Sequence, residues 1–443
     1  MKTTKFFFMA ALALMMTACS NDDNDLTQQP AKAEGIPFTA TISLDQSATT
    51  RALTENGTTI EATWATGEKV ALIYTVSATT YVKEAEVTPQ GDGTATISTT
   101  LEGSPADDTD VTIVYPASAV DGTTKDVKTN LLASQNGLLT GTGSIAEKYE
   151  LRKTTTPAKL KIDGTTASLK GTVSLTNQNA IFKLTLKDID GTSDVSATSV
   201  VISDQTGVVT TVTPASGYEN AMYVALPTTA TTLKFLVTGS DSKKYFNMAS
   251  SLSLGASYYQ STVKLATVGD VILSTGKCAK AGTSGAVAKI CYLGDETGES
   301  AYNYTNGLAL ALSDASTGCK WKTSNDDAGH TKQTSSTFTE ESGLQYIAQN
   351  SDTYPAFKAA IANNSTAAPT GCSAWFLASG YQWTKMFAGN AGGLKTLAGL
   401  ESNNYWSSSE INAYFAWNFG SNYGFWYDDL KDSDYLVRSC LAF

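Results

Sequence analysis

Phe38-Thr39-Ala40-Thr41-Ile42-Ser43-Leu44 alternates apolar with small polar side chains. A period of two, rich in β-branched and aromatic residues, is strand pattern. It recurs in Val70-Ala71-Leu72-Ile73-Tyr74, Ala95-Thr96-Ile97 and Val111-Thr112-Ile113-Val114-Tyr115. The breaks between these runs, Asn56-Gly57, Gln90-Gly91-Asp92-Gly93 and Asp121-Gly122, supply the positive φ that tight turns need. Short strands at this spacing predict a β-sandwich over residues 36–145. A second series, through Ala158–Ile162, Ala180–Leu186, Ser199–Ile202, Ala221–Pro227 and Thr232–Val237, predicts another over 146–268. The stretch Thr140-Gly141-Thr142-Gly143-Ser144 is the expected boundary.

Upstream, residues 20–35 are polar and without hydrophobic period, and read as a flexible tether. Residues 1–19 have the layout of a secretory signal: Lys2 and Lys5, then the apolar run Phe6 to Met16, then Thr17-Ala18 before Cys19. That run is too short to span a bilayer. Small residues before a cysteine resemble a bacterial lipobox, which implies lipidation of Cys19, although Met16 departs from the usual Leu. The cluster Ser20-Asn21-Asp22-Asp23-Asn24-Asp25 is similar to the signal that sends Bacteroidetes lipoproteins to the outer face of the outer membrane.

The composition fits an exported, β-rich chain. Of 443 residues, 42% are hydrophobic, enough for several cores, and only 16% are charged, against about 25% in an average soluble protein. The formal charge of −11 argues against a nucleic-acid partner, which needs a basic face.

From residue 269 onward the composition changes. Six of the seven Trp and five of the six Cys lie there, so 269–443 is expected to be a separate module. Ser342–Asn350, Tyr354–Ala362 and a segment opening at Tyr381–Phe387 have helical spacing, predicting an α+β domain. From Ser402 to Phe443 twelve residues are aromatic, against 42 in the whole chain, and they are interleaved with Asn, Ser, Gly and Asp. Rigid aromatics among adaptable polar residues are the composition of a binding surface. Trp406, Trp417 and Val437 are expected inside as scaffold. Asn412, Tyr414, Phe415, Asn418, Ser421, Asn422, Tyr423, Phe425, Tyr427, Ser433, Asp434 and Tyr435 are expected outside, as the ligand-binding set.

Two resemblances sharpen this reading. The tandem sandwiches behind a lipobox, with Thr49-Thr50-Arg51-Ala52 after the first strand and Trp64-Ala65-Thr66-Gly67-Glu68-Lys69-Val70 leading into the next, resemble the fimbrillin family of Bacteroidetes. That resemblance implies Greek-key sandwiches, proteolytic processing at Arg51, and other fimbrial subunits as partners by strand addition. The second lies in Gly307–Leu312, in Trp375-Phe376-Leu377-Ala378-Ser379-Gly380-Tyr381-Gln382-Trp383, and in Tyr405-Trp406-Ser407-Ser408-Ser409-Glu410 running to Val437-Arg438. In that order these segments look like a C-type-lectin-like module. The stretch between them, about 403–439, resembles the variable region of proteins diversified by retroelements. A fimbrillin donates its own C-terminal strand, and the module at that end implies a tip or solitary subunit.

Catalysis has little support. The one histidine, His330, sits in a polar context, Asn325-Asp326-Asp327-Ala328-Gly329-His330, without a nucleophile motif, and is expected at the surface. No phosphate-cradling loop or zinc helix occurs. The calcium tripeptides Glu-Pro-Asn and Gln-Pro-Asp of sugar-binding lectins are absent, so Asp428, Asp429, Asp432 and Asp434 read as a solvated acidic face; no metal and no cofactor are expected. Formylglycine-generating enzymes share the lectin-like fold and use reactive cysteines, but Cys372 and Cys440 lie near apolar runs and read as core thiols or a disulfide. Cys278 and Cys291 flank a Gly-rich turn and could face each other across a hairpin.

The expected protein is thus mostly β: two sandwiches carrying an α+β lectin-like module. It is not an enzyme but a lipid-anchored adhesin on the outer membrane's extracellular face, at a fimbrial tip, binding an unknown host, bacterial or phage surface ligand. The alternatives are a structural pilus subunit with a non-binding cap, or a formylglycine-generating-type enzyme.

Overall fold

The computed structural model of the protein describes residues 35–44, 54–56, 59–61, 64–91, 93–249, 252–390 and 393–443. Cys19 and Arg51 lie outside the described residues. The described residues are mostly β, built from several sheets with three short α-helices in their C-terminal part.

The strand Ile36–Leu44 buries Phe38, Ala40, Ile42 and Leu44 and turns Pro37, Thr39 and Thr41 outward, as its alternation predicts. It is an inner strand. Along one side it pairs antiparallel with Thr94–Leu101, and along the other it pairs parallel with Thr166–Leu169 and Val173–Asn177. These belong to a nine-stranded sheet that curls round, because its end strands also pair with inner ones. Phe38, Ile42, Leu72, Tyr74, Ile97, Ile113, Leu160 and Leu175 fill the interior. Trp64 packs edge-on against Tyr115 at 5.3 Å, and Glu68, four residues on, accepts a hydrogen bond from the Tyr115 hydroxyl at 3.1 Å.

The pairings do not follow the expected boundary at residue 145. Ala158–Asp163, Thr166–Leu169 and Val173–Asn177, expected in the second sandwich, hydrogen-bond into the first sheet. Ser134–Gln135, expected in the first, instead adds to Gly207–Val212 of the second unit, and the Gln135 side chain bridges the backbone N–H and C=O of Ala225 at 2.9 and 2.8 Å. Nor is Thr140–Ser144 a free linker: Asn136 donates to the Thr142 carbonyl at 2.9 Å, and Ser144 caps the Glu147 N–H at 3.2 Å. The chain therefore passes from the first unit to the second and back before settling in the second.

That second unit is a sandwich. A three-stranded sheet centred on Asn179–Asp188 faces a five-stranded one containing Ala197–Asp204 and Leu233–Gly239, with Leu184, Val200, Ile202, Val224 and Val237 between them.

The C-terminal part has a six-stranded sheet, in which the last strand, Ser439–Ala442, lies between Gly307–Ala311 and Phe376–Leu377. Its five-stranded sheet runs in the order Ser316–Cys319, Tyr435–Val437, Asn404–Glu410, Phe415–Gly420, Phe425–Leu430. The helices Pro355–Ala362 and Gly380–Gly389 match two expected ones. At 342–350 only a single turn, Leu344–Tyr346, forms, and the buried Glu299 carboxylate accepts the N–H groups of Gly343 and Leu344 at its start, at 2.8 and 3.1 Å. This part shares a core with the second sandwich: Leu236, Phe246 and Met248 pack with Ile272, Ile290, Leu441 and Phe443. The Phe246 and Phe443 rings are 4.6 Å apart.

Candidate ligand-binding face

The five-stranded sheet is packed by aromatic residues on both sides, with Trp406 in one cluster and Trp383, Tyr405 and Phe419 in the other. Trp406 is buried and donates to the Cys319 carbonyl at 2.9 Å. Trp383 stacks on Phe419 at 5.1 Å. Val437 is buried, whereas Trp417 is only half-buried, donating to the Gln333 carbonyl and lying edge-on to Phe338 and Trp426.

Glu410, at the end of the Asn404–Glu410 strand, organises the loops around it. It pairs with Lys332 and Lys431 and accepts the N–H groups of Ala328 at 2.9 Å and His330 at 3.1 Å. Burial pushes its carboxyl up, but the two lysines and the Ala328 N–H outweigh this and hold it below the usual range. Sequence reasoning missed this centre, since its members are spread over residues 328–431 and no local motif joins them.

The expectation for His330 is corrected. It is buried, stacked on Tyr346 at 3.6 Å, with Nδ1 3.1 Å from the Ser408 carbonyl and Nε2 against the Gln349 amide. Nδ1–H donates to the Ser408 carbonyl, and burial lowers the pKa of the ring. The polar loop around it is folded inward by Glu410.

The expected ligand set divides. Asn412, Tyr414, Asn422, Tyr423, Phe425, Tyr427 and Asp434 are exposed, and Phe415, Ser433 and Tyr435 are half-buried. Asn418 and Ser421 are corrected, because both are buried. Asn418 donates to Asp429 at 2.9 Å, beneath Tyr427, and Ser421 donates to the Asn403 carbonyl at 3.0 Å. Asn412 also builds the turn that carries Tyr414, and Asn422 is held by a lysine. Asn412 accepts from the Tyr414 and Phe415 N–H groups at 2.8 and 3.0 Å, and Asn422 accepts from Lys395 at 2.7 Å.

Eight large hydrophobic side chains are exposed among the described residues, and Tyr414, Tyr423, Phe425, Tyr427 and Leu430 are five of them. The hairpin ladder sets Gly420 opposite Phe425, Asn418 opposite Tyr427 and Ala416 opposite Asp429, so small residues lie beside large ones. A Cβ on Gly420 would come 2.7 Å from the Tyr427 ring. Tyr423 stacks on Phe425 at 6.2 Å. Gly424 closes the turn at φ +67°, where a Cβ would meet Phe387 at 2.0 Å. Tyr435 lies edge-on to Trp406 at 4.9 Å, and burial together with Asp429 pushes its hydroxyl up to about 12. By the alternation of the strand, Phe425, Tyr427 and Asp429 share one side of the hairpin, and Phe415, Asp428 and Leu430 the other; Asp428 and Asp434 are exposed.

Burial pushes Cys372 up to about 12 and Cys440 well above the usual thiol range, whereas a reactive cysteine needs its thiolate. All five described cysteines are free thiols. Cys278 and Cys291 do not face each other, because the strand Val271–Leu273 lies between theirs. No group of three or more His, Cys, Asp or Glu placed to hold a metal is found among the described residues.

No family model matches the sequence, and no curated protein matches it. Among solved structures, a fimbrial protein from Bacteroides ovatus matches at 14% identity and TM-score 0.33, over 93% of this chain and 99% of its own. A proposed cell adhesion protein from Bacteroides uniformis matches at 18% identity and TM-score 0.31, over 53% of this chain and 94% of its own. Neither likeness is close enough to transfer a role.

Proposed function

We propose that the protein is a cell-surface adhesin, a fimbrial subunit of the tip or solitary kind, that binds a surface ligand through the face formed by Asn412, Tyr414, Phe415, Asn422, Tyr423, Phe425, Tyr427 and Tyr435. One observation carries this reading: among the described residues, five of the eight exposed large hydrophobic side chains lie within residues 414–430, on a scaffold locked by Trp406, Trp383 and Glu410. Leaving aromatic surface in water costs about 25 cal/mol per Å², which a ligand regains on binding. Clustered exposed apolar surface is characteristic of interaction sites.

The remaining parts of the reading rest on the sequence: a lipid anchor at Cys19 in the outer membrane, a C-type-lectin-like module diversified over about 403–439, and processing at Arg51. The position of Ile36–Leu44 supports processing. Its loss would open a groove between Thr94–Leu101 and the Thr166–Leu169 and Val173–Asn177 strands, lined by residues that now pack on Phe38 and Ile42. A strand from another subunit could fill it.

The test is a screen of the full chain against arrayed host, bacterial and phage surface proteins and glycans, repeated with the 412–435 face scrambled at its exposed positions. The adhesin reading requires a ligand that the scrambled chain loses. A structural subunit with a non-binding cap predicts altered filament yield and no ligand.

A further inference from the structure

We propose that the strand Phe425–Leu430 is a strand-addition site for an extended, cationic segment of a partner protein. This rests on the ligand face proposed above and specifies its ligand as a protein held through its backbone, not a glycan.

Among the described residues the strand is the last of its sheet and pairs only with Phe415–Gly420. Its phase is fixed where the Lys431 N–H donates to the Tyr414 carbonyl at 3.0 Å. Antiparallel pairs alternate between bonded and non-bonded. From that end Asp429, Tyr427 and Phe425 bond inward, and the backbone groups of Trp426, Asp428 and Leu430 point off the sheet. The Leu430 carbonyl accepts from the Ser433 N–H at 2.9 Å. The other outward groups have no hydrogen-bond partner among the described residues. Among described strands of five or more residues, this one alone has no buried side chain.

An open edge of this kind invites pairing and is usually guarded by charge. Here Asp428 sits mid-strand, with Asp429 beside it and Asp432 and Asp434 following. Lys431, next to the strand in sequence, is buried on Glu410, and Lys395 donates to Asn422. Two copies pairing antiparallel would bring these carboxylates together, and like charges across strands oppose pairing. A strand with Lys or Arg at alternate positions meets both the free backbone groups and the negative charge. A glycan would use the aromatic rings but leave the edge unpaired.

The probe is a capped hexapeptide alternating Lys and Val, titrated into the full chain. Its counterparts carry N-methyl groups on the alternate, bonding amides, or Glu in place of Lys. The protein variant is Asp428→Pro, which removes an outward N–H without losing a ladder bond; its melting temperature is checked against the parent. The Lys-Val peptide is expected to bind, at least tenfold more tightly than either counterpart and at least tenfold more tightly than it binds Asp428→Pro, with affinity falling as salt rises. No binding of this peptide, or equal binding of the N-methylated one, overturns the proposal. If a ligand from the array screen is lost on Tyr423→Ala/Phe425→Ala/Tyr427→Ala but kept by Asp428→Pro, strand addition falls while the adhesive face stands. If neither variant affects that ligand, both fall.

Discussion

Glu410 and Lys431 form an ion pair in which neither side chain reaches solvent, directly under the turn that carries Tyr414. The Lys431 ammonium also donates to the carbonyls of Asp326 and Ala413 at 2.9 Å each. A turn of the ligand face and the long loop before His330 are thereby tied to one carboxylate.

Removing one partner of such a pair leaves a buried charge uncompensated. Glu410→Ala is expected to cost about 3–5 kcal/mol, read by denaturant unfolding. Because the Glu410 carboxyl titrates below its usual range in the fold, the stabilisation it provides is present above the unfolded value, about 4.3. It is lost as pH falls through the lower, folded value. The variant should therefore be less sensitive to acid than the parent.

His330 makes a second pH prediction of defined sign. Burial lowers its pKa, so the unfolded chain takes up a proton near pH 6.5 while the folded chain does not. Stability falls as pH drops below about 6.5. The buried Glu299 and Glu341 carboxyls, pushed up by burial, act in the opposite direction. The readable quantity is thus the parent's slope minus that of His330→Gln, and it should be positive with pH.

Gly424→Ala places a Cβ on a left-handed residue and within 2.0 Å of Phe387. The expected cost is about 1–3 kcal/mol, together with weakened ligand binding, since the turn between Tyr423 and Phe425 must shift. Calorimetry and a binding titration on the same sample check both.

Phe246→Ala removes the aromatic contact with Phe443 that joins the second sandwich to the C-terminal module. A loss of about 3–5 kcal/mol is expected, with the thermal transition splitting as the two units uncouple. A single unchanged transition would refute the shared core.

Sequence variation among related isolates gives a further check. Substitutions should concentrate at Asn412, Tyr414, Tyr423, Phe425 and Tyr427, and spare Trp406 and Val437. Asn418 and Ser421 should also be spared, because their side chains are used inside the sheet.

These two residues show where sequence reasoning stops. Alternation identifies Phe38–Leu44 and Phe415–Gly420 as strands because the period is local. It does not say which sheet a strand joins, and 158–177, expected in the second sandwich, pairs into the first sheet. Nor does it say which face of the Phe415–Gly420 strand is covered, and Asn418 is buried beneath Tyr427, a residue it meets only through the hairpin register. The burial of His330 is hidden from the sequence for a related reason, since the carboxylate that folds its loop inward lies 80 residues further along the chain. The exposed aromatics were legible because Tyr, Phe and Asn recur there at a density that no core requires.

The most direct test of the adhesive face is the affinity of the full chain for its screened ligand with Tyr423, Phe425 and Tyr427 all changed to Ala. These rings are 73%, 61% and 40% exposed, so the fold should melt unchanged. The account predicts at least a hundredfold loss of affinity, about 2.7 kcal/mol. Undiminished binding by this variant would contradict it.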